Sequence, residues 1–518
     1  MAPTMSGLYE PLLLGLDIGS TNIKAVVYEP NGTAVTVACI PQETHYLQAD
    51  WAHYDPHRLW ELCCQVIRRA LEPLADLTRV VSIAVTSFGE AGVLLDAKGE
   101  PTTNMIAWFD RRTLDQCRRF AGTIDPDRLF SICGTVVQQI MTAPKLMWHR
   151  ENEPDAWARA ETFLNTADYV AFLLCGEEAQ SLSLASRTAL LDLKAQDWSD
   201  ELLALADIDR AFLPPVRDGG TLLGPVTAKA SAATGLARST LVAVGGHDHV
   251  CGALGAGAVH RGDFLDSIGT TECLFVALDA PLDQIEMGRQ GYTQGAHPRN
   301  GFYTYGGLYT SGICFDWVQR ACAGGMPYDK LLAQAAAVVP GSLGVTFIPH
   351  LRLSNTPHMD SQARGAFIGL TTDADTAVLT RTVLEGVAFE GRATIEPLLA
   401  HAGLPPLTDA TVVGGTARNE LLLRIKASVM NMRLHVLETE EACALGAAML
   451  GGIAAGVYAS VDEAVTAIER TDHVIEPDPE AVEIYDTIFA DVYQHMYDAL
   501  RPFNHRLYDL FSGAELAN

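Results

Sequence analysis

Positive charge is scarce in this chain. Its 518 residues carry 36 Lys plus Arg against 63 Asp plus Glu, a formal net charge of −27. A field of that sign repels nucleic acid and anionic lipid, so polyanion binding as the main task is excluded and neither a nucleic acid nor a membrane is expected as a partner. Ordered cysteine is missing too. The 11 cysteines show no CxxC spacing and an odd total, which excludes a disulfide framework or a zinc ribbon and fits buried thiols in a reducing cytoplasm. There is no GxxxxGK[ST], so a P-loop ATPase is not supported, and no GxGxxG follows a strand-like run. The first eleven residues lack a basic region followed by an apolar one, so no signal peptide is expected. One chargeless run, 442–461, is long enough to span a bilayer. Ala and Gly dominate it, with little Leu, Ile or Phe to drive insertion, and a buried, closely packed helix is expected instead.

What the chain does have is 48% hydrophobic residues and a length that calls for two or more globular domains. Residues 12–17 form a short apolar run ending in Asp17. Gly19-Ser20-Thr21 follows, then a β-rich run over 23–29, the hairpin signal Asn31-Gly32, and a third run over 33–40. A helical period over 56–74 and a strand over 80–86 complete a β–β–β–α–β order, which calls for a mixed sheet with covering helices. The pattern returns later. A strand at 240–245, a Gly/Ala-rich helix at 248–257 and a second strand–turn–strand at 262–278 set Gly269-Thr270-Thr271 beside Gly19-Ser20-Thr21, which reads as an internal duplication. The second half continues with a Gly/Tyr-rich loop near 301–312, helices at 315–322, 328–338 and 374–400, a strand-turn at 410–415 and a helix at 419–430. A boundary near residue 255 divides the chain.

Turns that present successive backbone N–H groups beside small residues are concave anion sites, and the chain has two of them. Asp17, closing the strand before the first, is placed to hold Mg²⁺ through water. Gly245-Gly246-His247-Asp248-His249 follows a buried strand, where α/β sheets place ligand groups, and Asp248 is a candidate base. Because successive strand residues alternate faces, at most two of the three residues 247–249 are expected to converge, which argues against a metal site there.

The stretches LGLDIGSTNIKAVVY, AWFDRRT, APKLMW, VGGHDHVCGALGAG, IGTTECLFVAL, GAFIGL, LEGVAFE, VVGGTARNELLLRIKASVM and EEACALGAAMLGGIAAG run in that order from residue 13 to about residue 456. Together they resemble the FGGY carbohydrate kinase family. The resemblance implies an α/β fold of duplicated actin-like (ribonuclease H-like) ATPase domains with a cleft between them, residues 1–255 carrying the sugar site and the first phosphate turn and residues 256–518 the nucleotide site. It implies ATP and Mg²⁺ as cofactors, a small-molecule sugar or polyol as substrate, a cytoplasmic enzyme and a homodimer as an assembly common among relatives.

Residue by residue, the resemblance makes Asp248 the base that accepts the proton of the attacking hydroxyl, and Asp17, with Asp248, the acid that organises Mg²⁺. Gly19, Ser20, Thr21, Lys24, Gly269, Thr270 and Thr271 match the phosphate-holding positions. Gly414, Gly415 and Asn419 match the adenosine motif, with Ser311 and Gly312 in a loop near the nucleotide. Glu90, Trp108, Asp110, Arg111 and His249 are the expected sugar-side residues. Gly89 stands where glycerol kinases carry Arg, and the Met-His of xylulokinases is absent. These departures point away from both assignments to a less usual sugar, such as another ketopentose, a deoxysugar, a tetritol or a related polyol, with a ketopentose or related sugar as the first expectation. A sugar-independent actin-like ATPase and a non-catalytic sugar sensor are the readings from other classes.

Overall fold

The apolar run at the start of the chain forms β1 (Leu12–Ile18), and the Gly-Ser-Thr turn reverses it into the antiparallel β2 (Asn22–Tyr28). The computed structural model describes residues 10–48, 50–438 and 441–511. The signal-peptide reading falls largely on residues 1–9, outside the described residues. Asn31-Gly32 turns the chain into β3 (Ala34–Pro41), with Gly32 at φ +89°, a value that costs glycine little.

α1 (Pro56–Leu71) starts where Asp55 accepts from the N–H groups of His57 and Arg58, and its 3.6-residue period buries Leu59, Leu62, Cys63, Val66, Ile67 and Ala70. The chain then returns as β4 (Val80–Ser87), parallel to β1. α2 (Thr142–Asn152) and the edge strand β5 (Leu222–Pro225) follow, and β6 (Leu241–His247) runs parallel to β4. The first sheet thus has the order β5–β6–β4–β1–β2–β3.

α3 (Asp248–Ala256) leads to the second sheet, which opens with the antiparallel pair β7 (Phe264–Ile268) and β8 (Glu272–Leu278). β9 (Thr293–His297), β10 (Gly301–Leu308), α4 (Gly312–Ala321) and the 26-residue α5 (Thr376–His401) come next. The chain closes the sheet through β11 (Asp409–Val413), α6 (Glu420–Met430), β12 (Arg433–Leu437), α7 (Ala442–Ala454) and β13 (Asp472–Ile475). The order is β9–β10–β8–β7–β11–β12–β13. Without the edge strand β9, this is the order of the first sheet read from β3 to β5. Every parallel and antiparallel sense is repeated as well. The duplication read from two short turns therefore extends over six strands.

One expectation is corrected. The Gly/Tyr-rich stretch at 301–312 is not a loop throughout: β10 occupies Gly301–Leu308 and pairs along its whole length with β8. Its glycines mark close approach rather than a turn, since a Cβ on Gly306 would lie 2.7 Å from Cγ2 of Thr394 in α5.

The chargeless run supplies α7, which ends at Ala454, short of residue 461. It is buried against the first sheet, where Ala444, Leu445, Ala448 and Leu450 join Leu13, Val26, Tyr28, Ala84 and Ala243 in one core. Among the described residues no helix is long and apolar enough to cross a membrane. α3 and α7 meet backbone to backbone: a Cβ on Gly446 would sit 1.8 Å from the carbonyl oxygen of Cys251, and one on Gly255 would sit 2.2 Å from that of Ala442. Gly446→Ala is expected to destabilise the protein by about 2–3 kcal/mol through overpacking. Gly224→Ala, whose methyl would meet nothing within 4 Å, is expected to leave the thermal unfolding midpoint at or slightly above that of the parent.

Candidate active site

Three adjacent parallel strands end together. Asp17 of β1 is in register with Thr86 of β4, and Thr86 with Gly246 of β6. The carboxyl edge of this sheet therefore gathers Asp17, the loop 87–90 that leaves β4, and His247-Asp248-His249 at the end of β6, as α/β sheets generally do with ligand groups. The first phosphate turn, closed by the Gly19 N–H donating to the Asn22 carbonyl at 2.9 Å, lies on the same edge.

The acids of this edge sit in a demanding environment. Burial, then the negative charge of Asp248, pushes Asp17 up to about 7. Burial also pushes Asp248 up to about 7, with Glu90 adding to the shift, while the His249 N–H at 2.7 Å and Arg187 oppose it. The Asp248 side chain nevertheless keeps 28% exposure toward the cleft. Two partly exposed carboxylates close enough to repel form an oxygen donor set that suits Mg²⁺.

At residues 247–249 the expectation of alternating faces fails. His247 ends β6 and Asp248 begins α3, so the backbone changes from extended to helical between them. Side chains at a helix start are about 100° apart rather than opposed, and one ligand atom from each of His247, Asp248 and His249 lies within 4.8 Å of the others.

On the sugar side, Glu90 is buried at φ +62° and paired with Arg187, Nε to carboxylate 2.7 Å. Arg187 also donates to Thr293 Oγ1 at 2.8 Å and lies over the Tyr305 ring at 5.7 Å, both on second-sheet strands. His249 packs on the same Tyr305 ring with centroids 5.3 Å apart. Beneath Glu90, the fully enclosed Lys145 of α2 donates to the carbonyls of Glu90 and Ala107 at 2.8 and 3.1 Å, and burial lowers it to about 7. Arg187, Tyr305, Thr293 and Lys145 were not read from the sequence, although Lys145 stands inside the APKLMW stretch.

Trp108 is half-buried against Phe109. Asp110 is wholly buried, with its carboxylate committed to the Ala52 and Arg112 N–H groups and the Arg112 guanidinium. Arg111 is exposed, and the neighbouring Arg112 is the arginine held inside, against Trp51 and Trp148.

The second candidate turn, Gly269-Thr270-Thr271, is clamped. Gly269 donates to the Thr271 carbonyl, and the Gly269 carbonyl in turn accepts from the Gly312 N–H at 3.1 Å and the Thr416 hydroxyl at 3.2 Å. A cavity of about 300 Å³ opens beside it, lined by Thr270, Gly312, Gly415 and Asn419 together with Phe315, Tyr328 and Arg418. Gly414 has φ +105°, and a Cβ there would lie 2.4 Å from the Ile268 carbonyl oxygen, so only glycine fits. Asn419 caps α6 by accepting from Leu422 N–H, leaving its Nδ2 buried without a partner among the described residues. Ser311 faces inward and donates to Glu272, which with Asp266 holds the fully buried Lys426. Lys24 lies opposite Asp17 on the first hairpin, with its Nζ paired to both oxygens of Glu441 just before α7.

The models of the N-terminal and C-terminal domains of the FGGY family of carbohydrate kinases match residues 12–255 and 266–455. The chain belongs to this family. It is a carbohydrate kinase of the duplicated actin-like fold, and ATP is the co-substrate that membership carries. It is 30% identical over 498 residues to the xylulose kinase of Bacillus subtilis, covering 95% of this chain and 98% of that one. It is also 30% identical over 514 residues to the autoinducer-2 kinase of Salmonella typhimurium, covering 93% of each. Among solved structures, the xylulose kinase of Rhodospirillum rubrum superposes with a TM-score of 0.87 at 29% identity, over 95% of this chain and 100% of that one.

Lys426 joins three elements that border the cavity of about 300 Å³, namely the hairpin with the second turn, the Ser311 loop and α6. Lys426→Met leaves two carboxylates buried without a cation and is expected to cost about 3–5 kcal/mol in denaturant unfolding. Weaker ADP binding is expected alongside, because the Ser311–Glu272 bond loses its anchor.

Proposed function

We propose that this kinase transfers the γ-phosphoryl group of ATP to a hydroxyl of a ketopentose or a related sugar or polyol, with Asp248 as the general base. The observation that carries the reading is the convergence of Asp17, Glu90, Asp248 and His249 on one sheet edge, with an anion-binding turn on each side of the cleft. Xylulose is a ketopentose, and the curated xylulose kinases support that class.

In this reading the sugar lies against Trp108 and His249, with Glu90, oriented by Arg187, as acceptor for its hydroxyls. Asp248 faces the attacking hydroxyl and takes its proton as the O–P bond forms. The backbone N–H groups of the two turns receive the phosphate oxygens, so the dipoles are in place before charge moves. Asp17 and Asp248 would hold Mg²⁺ through water, which leaves the Asp248 oxygens free to accept a proton; when bound, the ion neutralises charge on the β- and γ-phosphates. Lys24 reaches the phosphates only by leaving Glu441. Because Arg187 bridges Glu90 to Thr293 of the second sheet, a sugar seated on Glu90 draws the halves together and excludes water.

Sugar-dependent ADP release, measured in a coupled assay across ketopentoses, aldoses, deoxysugars, C3 to C5 polyols and autoinducer-2, is expected for at least one ketopentose. Asp248→Asn should lower its kcat by about 10²–10⁴-fold. No sugar-dependent turnover with any compound would overturn the reading. Both acids must be ionised to work, and both are pushed up to about 7. The sugar kcat/KM is therefore expected to fall as pH drops below about 7, and a profile flat from pH 8 to 5 would count against Asp248 as base.

A further inference from the structure

His247, Asp248 and His249 gather two imidazoles and one carboxylate where extended backbone turns helical, with one ligand atom of each within 4.8 Å of the others. His247 Nε2 lies 3.3 Å from an Asp248 oxygen. That is about the ligand-to-ligand edge of a tetrahedral zinc ion with bonds of about 2.0–2.1 Å. The His247 ring is not locked by stronger partners, since its Nδ1 is buried without a hydrogen bond among the described residues. His249 and Asp248 are partly open to the cleft, which gives an ion a way in. The positive end of α3 opposes a cation here and Arg187 is near, but Arg187 is matched by Glu90, and Asp17 adds a negative charge. Nitrogen donors set this group apart from the oxygen set that suits Mg²⁺. Two imidazoles and a carboxylate favour Zn²⁺, Co²⁺ or Ni²⁺ over Mg²⁺.

We propose that His247, Asp248 and His249 form a binding site for a transition-metal divalent ion such as Zn²⁺, and that its occupancy switches the kinase off by engaging the Asp248 carboxylate. The binding half stands on the donor geometry alone; the inhibition rests on the reading of Asp248 as base. A carboxylate whose lone pair is given to a metal does not accept the hydroxyl proton, and the ion occupies the space of that hydroxyl. Inhibition is therefore competitive with the sugar and not with ATP.

Co²⁺ serves as the optical probe on the full-length enzyme. One Co²⁺ per chain should give visible d–d absorption that survives excess Mg²⁺ and is bleached by Zn²⁺. His249→Gln is expected to weaken Co²⁺ binding by about 100-fold, with its melting temperature read in parallel and His247→Asn as a second variant should it fail to fold. In turnover assays at saturating Mg-ATP, Zn²⁺ should raise the apparent sugar KM, and a chelator should restore the rate. No absorption in the parent enzyme, or equal Co²⁺ affinity in both variants, overturns the site. Stoichiometric Co²⁺ binding with unchanged turnover overturns the inhibition and tells against Asp248 as base, while leaving the binding geometry standing.

Discussion

The parallel register of β1, β4 and β6 is the constraint on which the remaining architecture depends. Three strands that end level deliver Asp17, the loop 87–90 and Asp248 to one edge, and a slip of one residue would turn Asp17 to the opposite face of the sheet. Close packing holds the register: a Cβ on Gly245 would sit 1.9 Å from the Val85 carbonyl oxygen, so β6 approaches β4 more tightly than a side chain permits. The second sheet repeats the strand order, and its first hairpin carries the second phosphate turn to the opposite wall of the cleft.

The two walls handle buried charge in different ways. On the nucleotide wall, Lys426, Asp266, Glu272 and Ser311 form a sealed network that ties a turn, a loop and a helix together. Buried ionic groups of this sort are costly to break and set one arrangement of the elements they join. On the opposite wall Glu90 and Asp110 are matched by Arg187 and Arg112, whereas two further acids have no cation in direct contact. Asp17 and Asp248 both lie well above their usual range, mainly through burial, while Lys145 donates to carbonyls rather than to a carboxylate. Acids raised in this way, gathered at one edge of a cleft, mark a candidate functional site.

Much of this was legible in the chain because it is local. The strand–turn–strand at 12–28, the helix at 56–71 and the glycine turns carry their signals within a few residues, as does the turn at Gly414 and Gly415 with the helix cap at Asn419. What was hidden depends on pairing over distance. Arg187 meets Glu90 across 97 positions and Lys24 meets Glu441 across 417, and neither pair leaves a mark in its own neighbourhood. Which of Arg111 and Arg112 turns inward was hidden for a similar reason, since it is decided by Trp51 and Trp148, far off in sequence. The histidines flanking Asp248 were misjudged because the strand-to-helix junction falls between residues 247 and 248, and a change of period inside a motif defeats an argument from either period alone.

α7 belongs by position to the second half of the chain and by contact to the first. It supplies one layer of the core over β1, β4 and β6, and its Gly446 interlocks with α3 at backbone distance. Cutting the chain at the midpoint therefore does not yield two self-sufficient pieces. The leading piece would expose Leu13, Ala84 and Ala243 to water until the trailing segment arrived. During synthesis on a ribosome the first sheet must wait, half-covered, for some two hundred later residues, and its final burial is the event that ties the ends of the chain together.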